Sequence, residues 1–320
     1  MGAVCCKTQD SNFGAEQYNS APKTLASQKT LQQITKRKED QNDPTINGYS
    51  TNSSNTGGAK DFKFEHDEIY RKVEEQWKDR IAPENLEYTS FLEFSNGERY
   101  KGYLKDGKRH GPGSQLWANG AVYHGEWING LAQGYGRLHH SDGDIYLGQW
   151  LEDKAHGYGS YIHTDGAKYE GNWLLDKQHG KGKESWPDGA VYEGDYVEGR
   201  KHGVGKFNWA DGSEYEGEFV DNNIEGTGLY KWADGRQYEG TWFMNKMHGK
   251  GVFSWSDERK YEGEYLDDKK HGFGIFYWPD GRRYTGQWRD GKQHGEGEYL
   301  SSSGELKKGI WEDGKRTKWL

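Results

Sequence analysis

Rings and polar residues alternate along most of this chain in a way that predicts β-hairpins. The stretch 201–219 reads KHGVGKFNWADGSEYEGEF, with rings and glycines in one parity up to Trp209 and again from Tyr215. Successive side chains of a strand point to opposite faces, so each hairpin has an aromatic face and a polar face. The Asp211-Gly212 dipeptide between the two runs is a strong signal for the turn of a hairpin.

The hairpin pattern repeats with a period of 23 residues. A Y-x-G-x-aromatic motif starts at Tyr100, where Leu104 takes the aromatic position, and at Tyr123, Tyr146, Tyr169, Tyr192, Tyr215, Tyr238, Tyr261 and Tyr284. A degenerate tenth copy starts at Lys307 and retains Gly309 and Trp311. A G-x-G motif runs in the same register, and a turn dipeptide of Asp or Asn followed by Gly recurs in the units, with a departure at Asp257-Glu258. Such regularity is typical of a repeat architecture.

These units predict an all-β fold: an elongated, single-layer antiparallel meander of about 20 strands, built as a solenoid of hairpins. Glycine usually weakens a strand. Here the glycines fall between bulky rings on the aromatic face, so we expect each to leave room for a ring from the neighbouring strand to lie across the backbone. Exposed strand edges are expected only at the two ends of the meander.

The sequence divides into three segments. Residues 1–60 are rich in Asn, Gln, Ser and Thr and predict a flexible, disordered tether. Residues 61–87 contain an amphipathic helix at 66–82, which we expect to cap the first strand. The repeats occupy residues 88–320, with nine intact units and one degenerate unit. The apolar stripe of the helix consists of Ile69, Val73, Trp77 and Ile81.

The combination of Y-E-G-x-W, H-G-x-G and a D-G turn in one unit resembles the MORN repeat (membrane occupation and recognition nexus). The resemblance covers about residues 88–320 and implies an elongated, non-catalytic scaffold or adaptor. Proteins of this family occur at membranes, at the cell cortex, in cilia and flagella, and beside lipid-kinase domains. The positions that match the motif, such as Tyr169, Gly171, Trp173 and His179, carry over as structural residues.

The composition of the chain excludes several classes of protein. Only 32% of the 320 residues are hydrophobic, but 15% are aromatic, which argues against disorder in most of the chain. No apolar run reaches the roughly 20 residues of a membrane span, and no hydrophobic signal core follows Met1. The two cysteines are Cys5 and Cys6, so a disulfide-stapled secreted domain is excluded and a reducing interior is expected.

The first residues, MGAVCCK, predict lipidation. Gly2 fits N-myristoylation, and Cys5 and Cys6 fit S-palmitoylation. Cys6 stands where the myristoylation motif usually has Ser or Thr, and the alternative is a coincidental Met-Gly with two solvent-exposed cysteines. One acyl chain anchors a protein only marginally, so a second chain or a basic patch is needed. Residues 1–38 carry a net charge of +4 and would be drawn to anionic lipid.

Charge excludes one class of partner. The chain has a net charge of −8 although its first 38 residues are basic, so the remainder is acidic and nucleic acid is not an expected partner. A basic residue precedes most H-G pairs and could meet phosphoinositide headgroups. Acidic residues lie within two positions of most of these basic residues, which favours a solvated loop edge. The basic residues are Lys108, Lys154, Lys177, Arg200, Lys246, Lys269 and Lys292.

A histidine precedes the G-x-G motif in seven units. Equivalent residues would lie two strands, or about 9–10 Å, apart, which is too far to share a zinc ion. We therefore expect no metal site and interpret each histidine as closing the loop between hairpins by hydrogen bonding. The histidines are His110, His156, His179, His202, His248, His271 and His294.

The aromatic face is the candidate binding groove, because large exposed apolar patches usually mark interaction surfaces. The alternative is that rings and glycines only satisfy one another. The candidate groove residues are Tyr123, Trp127, Tyr146, Trp150, Tyr169, Trp173, Tyr192, Trp209, Tyr215, Trp232, Tyr238, Trp242, Trp255, Tyr261, Trp278, Tyr284 and Trp288.

The sequence has no phosphate-binding G-x-x-x-x-G-K-[ST] motif and no cysteine in the repeats, so we expect neither catalytic residues nor a cofactor. It predicts a scaffold on the cytoplasmic face of a membrane, namely the plasma membrane, a ciliary or flagellar membrane or the cell cortex. Its expected partners are that membrane and a protein, with pairing to itself as an alternative. Two other hypotheses stay open: a structural component of an axoneme or of the cortical cytoskeleton, and a phosphoinositide-binding regulatory part of a lipid kinase.

Overall fold

The computed structural model describes residues 86–320, and this part of the chain is all-β. Its 21 strands form an antiparallel open meander, which confirms the predicted fold class. No helix occurs between residues 86 and 320. The predicted tether, the predicted helix at 66–82 and the predicted lipidation residues lie outside the described residues.

The strands alternate between seven and nine residues from β2 to β20, so each repeat contributes one strand of each length. They are β1 (Glu87–Glu93), β2 (Arg99–Lys105), β3 (Lys108–Leu116), β4 (Val122–Ile128), β5 (Leu131–His139), β6 (Ile145–Leu151), β7 (Lys154–Ile162), β8 (Lys168–Leu174), β9 (Lys177–Ser185), β10 (Val191–Val197), β11 (Arg200–Asn208), β12 (Glu214–Val220), β13 (Asn223–Lys231), β14 (Gln237–Phe243), β15 (Lys246–Ser254), β16 (Lys260–Leu266), β17 (Lys269–Tyr277), β18 (Arg283–Arg289), β19 (Lys292–Leu300), β20 (Leu306–Glu312) and β21 (Lys315–Trp319).

The described residues fall into two compact units. The first unit contains residues 86–187 and 196–199, and the second contains residues 188–195 and 200–320. Within each unit, strands that are adjacent in the sequence pair with one another in antiparallel orientation. The packing is therefore local in both units, and the same contacts recur from one hairpin to the next.

Strand register produces the two faces that the alternation predicts. Between β11 and β12, Phe207 lies opposite Tyr215, and Gly205 lies opposite Gly217. Between β12 and β13, Gly217 also lies opposite Gly228, after which the register shifts at a bulge. Glycines of three neighbouring strands therefore meet beside the rings, as the sequence pattern predicts.

The Asp-Gly turn closes each hairpin at one end. The Trp209 amide donates to the Ser213 carbonyl at 2.9 Å, and the Gly212 amide donates to the Trp209 carbonyl at 3.0 Å. This is a three-residue hairpin loop whose last residue has positive φ. Glu258 takes the place of the glycine in one unit and still adopts a φ of 69°, with the equivalent hydrogen bond to Trp255 at 3.1 Å. The departure from the repeat pattern at this position therefore leaves the turn intact.

A second tight turn, which the sequence analysis treats only as a loop, joins each repeat to the next. Asp221 and Asn222 have φ values of 49° and 72°, as in a two-residue type I′ turn. The second turn residue also bonds to the preceding repeat. The Asp176 amide donates to the Ala155 carbonyl at 2.9 Å, and Asp176 Oδ1 accepts from the Ala155 amide at 2.7 Å.

This reciprocal pair of hydrogen bonds recurs along the chain. The Oδ1 atoms of Asp153, Asn222, Asn245 and Asp268 accept from the amides of Ala132, Lys201, Ile224 and Met247 at 2.7–2.9 Å. The turn residue thus makes the same bond whether it is a carboxylate or a neutral amide. We call this arrangement the turn clasp.

A bulge at the position of the H-G pair, which is Glu225-Gly226 in one repeat, sets the local backbone of the longer strand. Gly226 has a φ of 74°, and a Cβ there would lie 2.7 Å from the Glu218 carboxylate. The carboxylate caps the bulge, because Glu218 Oε1 accepts from the Thr227 amide at 2.9 Å. Glycine is required at this position for both reasons.

Candidate functional site

The structure buries thirteen of the seventeen predicted groove residues, none of them more than 7% exposed. These rings form a packed layer instead of an open surface. The buried residues are Tyr123, Trp127, Tyr146, Trp150, Tyr169, Trp173, Tyr192, Tyr215, Tyr238, Trp242, Tyr261, Tyr284 and Trp288.

Each motif tyrosine lies over two glycines. The Tyr215 hydroxyl donates to the Glu218 carbonyl at 3.0 Å, which turns the ring along its own strand. A Cβ on Gly228 would lie 2.5 Å from ring carbons of Tyr215, and a Cβ on Gly217 would lie 2.5 Å from its hydroxyl. Burial raises the pKa of Tyr215, so this hydroxyl remains a protonated donor.

The motif tryptophans connect one repeat to the next. Trp242 Nε1 donates to the Gly228 carbonyl at 3.3 Å. Its ring contacts Tyr238 of its own repeat edge-on at 5.0 Å and Tyr215 of the preceding repeat at 5.8 Å. Such edge-to-face pairs are favourable arrangements for aromatic rings. These residues therefore act in packing, in agreement with the structural role that the resemblance implies.

The other four predicted groove residues are tryptophans at the start of the Asp-Gly turn, and all four are half-buried. We call them the tryptophan row. They lie in the second unit, and they retain accessible ring surface where the thirteen other rings do not. The row consists of Trp209, Trp232, Trp255 and Trp278.

Three arginines that the sequence analysis did not single out cover this row. The guanidinium of Arg259 lies 5.3 Å from the ring centre of Trp255, and its Nε donates to Asp257 Oδ2 at 2.8 Å. The same geometry occurs at Arg236 with Trp232 and at Arg282 with Trp278. The signal was present in the sequence, because Arg recurs two residues after the turn aspartate in three consecutive units.

Lys270 lies among four rings of the second unit. Its Nζ is 4.9–5.4 Å from the ring centres of Trp255, Tyr261, Phe276 and Trp288. Cation–π attraction favours a lysine in such surroundings. The equivalent positions are apolar at Ile224 and Met247. They are again cations at Arg109 and Lys201, which lie 4.2 Å from the ring centre of Trp127 and 5.0 Å from that of Tyr192.

The first unit departs from the repeat pattern around Asp144. Asp144 is 7% exposed, and its carboxylate accepts from the Tyr161 hydroxyl at 2.9 Å, from the His163 ring at 3.1 Å and from the Thr164 amide at 2.9 Å. Burial tends to raise the pKa of Asp144, but the hydrogen bonds and His163 outweigh it, so the pKa is lowered. His140 is 4% exposed with both ring nitrogens unpaired, and burial lowers its pKa.

Hydrogen bonding by the recurring histidines differs between repeats. His110 bonds to the side chain of Asn129 in the turn between repeats, as the sequence predicts. The buried Nδ1 atoms of His156, His179, His248 and His294 have no hydrogen-bond partner. Residues 86–320 contain no group of three or more His, Cys, Asp or Glu side chains placed to hold a metal ion.

Several members of the basic row form ion pairs with the turn of the next repeat. Lys177 Nζ lies 3.1 Å from Glu198, Arg200 lies 3.3 Å from Asp221, and Lys246 Nζ lies 3.7 Å from Asp267. These side chains are exposed, so each pair contributes little to stability. Local pairing of this kind lowers the positive charge that an anionic headgroup would meet. Within the described residues, no helix is long and apolar enough to cross a membrane.

Comparison with known families identifies the class of this chain. The model of the MORN repeat matches nine segments, each of which begins at the tyrosine of the motif: 100–122, 123–145, 146–168, 169–191, 192–214, 215–235, 238–258, 261–282 and 284–305. These matches cover more than half of the chain, which therefore belongs to the MORN repeat family. The search of curated proteins gives no match.

The search of solved structures finds weak likeness to domains of SAS-4 and CPAP. The TCP domain of Drosophila melanogaster SAS-4 (dCPAP), solved in complex with a proline-rich motif of Ana2 (dSTIL), is 13% identical with a TM-score of 0.31, over 58% of this chain and 97% of that chain. The TCP10 domain of Danio rerio CPAP is 15% identical with a TM-score of 0.21, over 72% of this chain and 98% of that chain. At these values the likeness supports no inference about the function of this chain.

Proposed function

We propose that this protein is a non-catalytic scaffold that is attached to the cytoplasmic face of a membrane by a lipidated N-terminus and holds a protein partner on its repeats. The observation that carries the proposal is the restriction of all cysteine to Cys5 and Cys6, directly after Gly2, in a chain whose described part is repeated sheet. Gly2 would carry the myristoyl group and the two cysteines would carry palmitoyl groups.

The repeats support a holding role and not a reaction. Tyrosines and tryptophans of the motif are engaged in packing, as Tyr215 and Trp242 illustrate. The carboxylates at the bulges and turns, such as Glu218 and Asp176, bond to backbone amides. These repeated polar groups thus maintain the sheet, and the half-buried tryptophan row is a surface that a partner could contact.

Membrane fractionation of cells that express the full chain tests the anchor. We expect the unmodified protein in the membrane fraction and Gly2→Ala in the soluble fraction, because palmitoylation depends on prior membrane contact through the myristoyl chain. Cys5→Ser with Cys6→Ser should shift the protein partly to the soluble fraction, since one acyl chain binds only marginally. Ala3→Ser keeps all three lipidation residues and is the matched control.

Two measurements decide between the hypotheses. The intact mass of the protein from cells should include the mass of the added acyl groups. In Gly2→Ala this added mass should be absent, and the protein should be released from membranes. If the mass is unmodified and all variants stay in a detergent-resistant pellet, the membrane scaffold is wrong and a structural component of the cytoskeleton is supported.

A further inference from the structure

The tryptophan row offers the accessible part of the aromatic face in the second unit. Trp209, Trp232, Trp255 and Trp278 are half-buried, whereas the motif rings beside them are at most 7% exposed. In the first unit two of the equivalent positions are His140 and His163, so the row is uninterrupted only in the second unit.

Ring contacts on both sides hold the row in place. Trp209 stacks on Phe207 at 4.4 Å and contacts Tyr230 at 5.1 Å. Trp255 contacts Phe253 at 4.5 Å and Phe276 at 5.5 Å. The indoles are thus pre-organised, which reduces the entropy that a ligand would lose in ordering them.

The row also presents unused hydrogen-bond donors. Within the described residues, the Nε1–H groups of Trp209, Trp255 and Trp278 make no hydrogen bond, whereas those of Trp242 and Trp288 donate to backbone carbonyls. An indole that is partly covered by protein normally has a partner for its N–H group. A ligand with free carbonyl groups would supply that partner.

The spacing of the row selects one kind of peptide. Equivalent residues of successive repeats are two strands apart, or about 9.6 Å. A polyproline II helix advances about 9.3 Å in each three-residue turn, leaves its carbonyls free, and presents every third residue on one side. Over three repeats, the positions of every third peptide residue and of the tryptophans therefore differ by about 1 Å.

Other regular conformations fit this spacing less well. An α-helix presents residues seven apart on one side at about 10.5 Å and drifts by about 3 Å over three steps. In a β-strand, residues three apart are separated by about 10 Å but point to opposite faces. The polyproline II conformation is therefore the one that keeps both the pitch and the facing direction along four tryptophans.

We propose that the tryptophan row binds a proline-rich segment of a partner protein in the polyproline II conformation, with a proline at every third residue over one indole. Proline rings pack on the indoles, and carbonyls of the peptide accept from the Nε1–H groups, which is the general manner in which aromatic surfaces recognise such segments. This inference deepens the proposed scaffold function by naming the class of its protein partner, and it does not depend on the membrane anchor.

Two synthetic peptides of thirteen residues and identical composition test the pitch. One has prolines at positions 1, 4, 7 and 10, and the other at positions 1, 5, 9 and 13, with Ala and Ser elsewhere in both. We expect the period-three peptide to change the tryptophan fluorescence of the full chain and to bind at least about tenfold more tightly than the period-four peptide.

Variants locate the binding surface. Trp255→Ala should lower the affinity for the period-three peptide by about tenfold. Trp255→Phe keeps a ring but loses the N–H group, so it should lower this affinity by a smaller factor. Phe273→Ala is the control, because Phe273 is 49% exposed and lies on the face opposite to the aromatic face. Gly272, Gly274 and Phe276 share the other parity of this strand. The circular dichroism spectrum of each variant shows whether it folds, and Trp255→Phe remains informative if Trp255→Ala does not.

Three outcomes would overturn the proposal: equal affinity for both peptides, tighter binding of a helical Ala-rich peptide of the same length, or unchanged affinity in Trp255→Phe and Trp255→Ala. Failure of the lipidation experiment leaves this proposal standing, because peptide binding is measured with purified protein in solution. Failure of peptide binding in turn leaves the membrane fractionation result unaffected.

Discussion

At the scale of single residues, a close approach of ring and backbone decides the packing of each unit. Tyr215 is fully buried, although it belongs to a sheet without a second layer of secondary structure among the described residues. It achieves this burial because Gly217 and Gly228 leave the space that its ring occupies. The sequence predicted room for a ring from the neighbouring strand at each glycine of the aromatic face. The structure confirms this at Gly228, whereas the ring over Gly217 comes from the same strand and the bulge glycine Gly226 lies beside the Glu218 carboxylate.

Gly228→Ala tests this contact. The added methyl group would lie 2.5 Å from ring carbons of Tyr215, so the ring must move. We expect a loss of about 1–3 kcal/mol in the free energy of unfolding, measured by urea denaturation. In a Tyr215→Leu background the same substitution should cost less, since the ring is gone. Equal costs in both backgrounds would show that the ring does not set the requirement for glycine.

At the scale of the hairpin, the two turns of a repeat differ in chemistry. The Asp-Gly turn was predictable, because its dipeptide is a strong local signal. The turn between repeats was not, because its second residue is Asp or Asn as often as Gly, and its conformation depends on the turn clasp to the preceding repeat. Burial raises the pKa of Asp268 in this position, and Asn222 and Asn245 make the same bond without a charge to bury.

Two substitutions at Asp176 separate the conformation from the clasp. Asp176→Gly keeps the left-handed backbone but loses the 2.7 Å bond to the Ala155 amide, and we expect it to cost about 1 kcal/mol. Asp176→Ala loses the same bond and retains a β-carbon in the left-handed region, so we expect it to cost about 1–2 kcal/mol more than Asp176→Gly. Faster hydrogen exchange of the Ala155 amide in both variants is the specific measurement. An unchanged exchange rate would contradict the clasp.

At the scale of the whole molecule, the repeat is the unit of structure. Each strand of the second unit bonds to its neighbours in sequence, so a complete repeat can be removed without separating long-range partners. Stability in such proteins is approximately a sum over repeats and their interfaces. The two units described here are consistent with that principle, since each contains several copies of the same hairpin.

Deletion of residues 215–237 tests this additivity. The deletion removes one period and joins Glu214 to Tyr238, so the junction again begins a seven-residue strand with a tyrosine at its second position. We expect a folded protein with the same circular dichroism spectrum per residue. Deletion of residues 215–226 is the control, because it breaks the alternation of seven- and nine-residue strands. That control should lose ellipticity and aromatic packing. Unfolding of the full-repeat deletion would show that contacts beyond the neighbouring repeats are essential.

The sequence by itself determined the all-β class, the position of every repeat and the aromatic face, because a strict period and alternating parity are properties of the local chain. The tertiary structure decided which of those rings are accessible. Burial depends on neighbouring strands: the same pattern places Tyr215 beneath the packed layer and leaves Trp255 half-exposed at the turn. It also decided the turn clasp, the arginines over three of the four tryptophans of the row and the hydrogen bonds of the Asp144 carboxylate, since no local pattern specifies how close these residues lie in space.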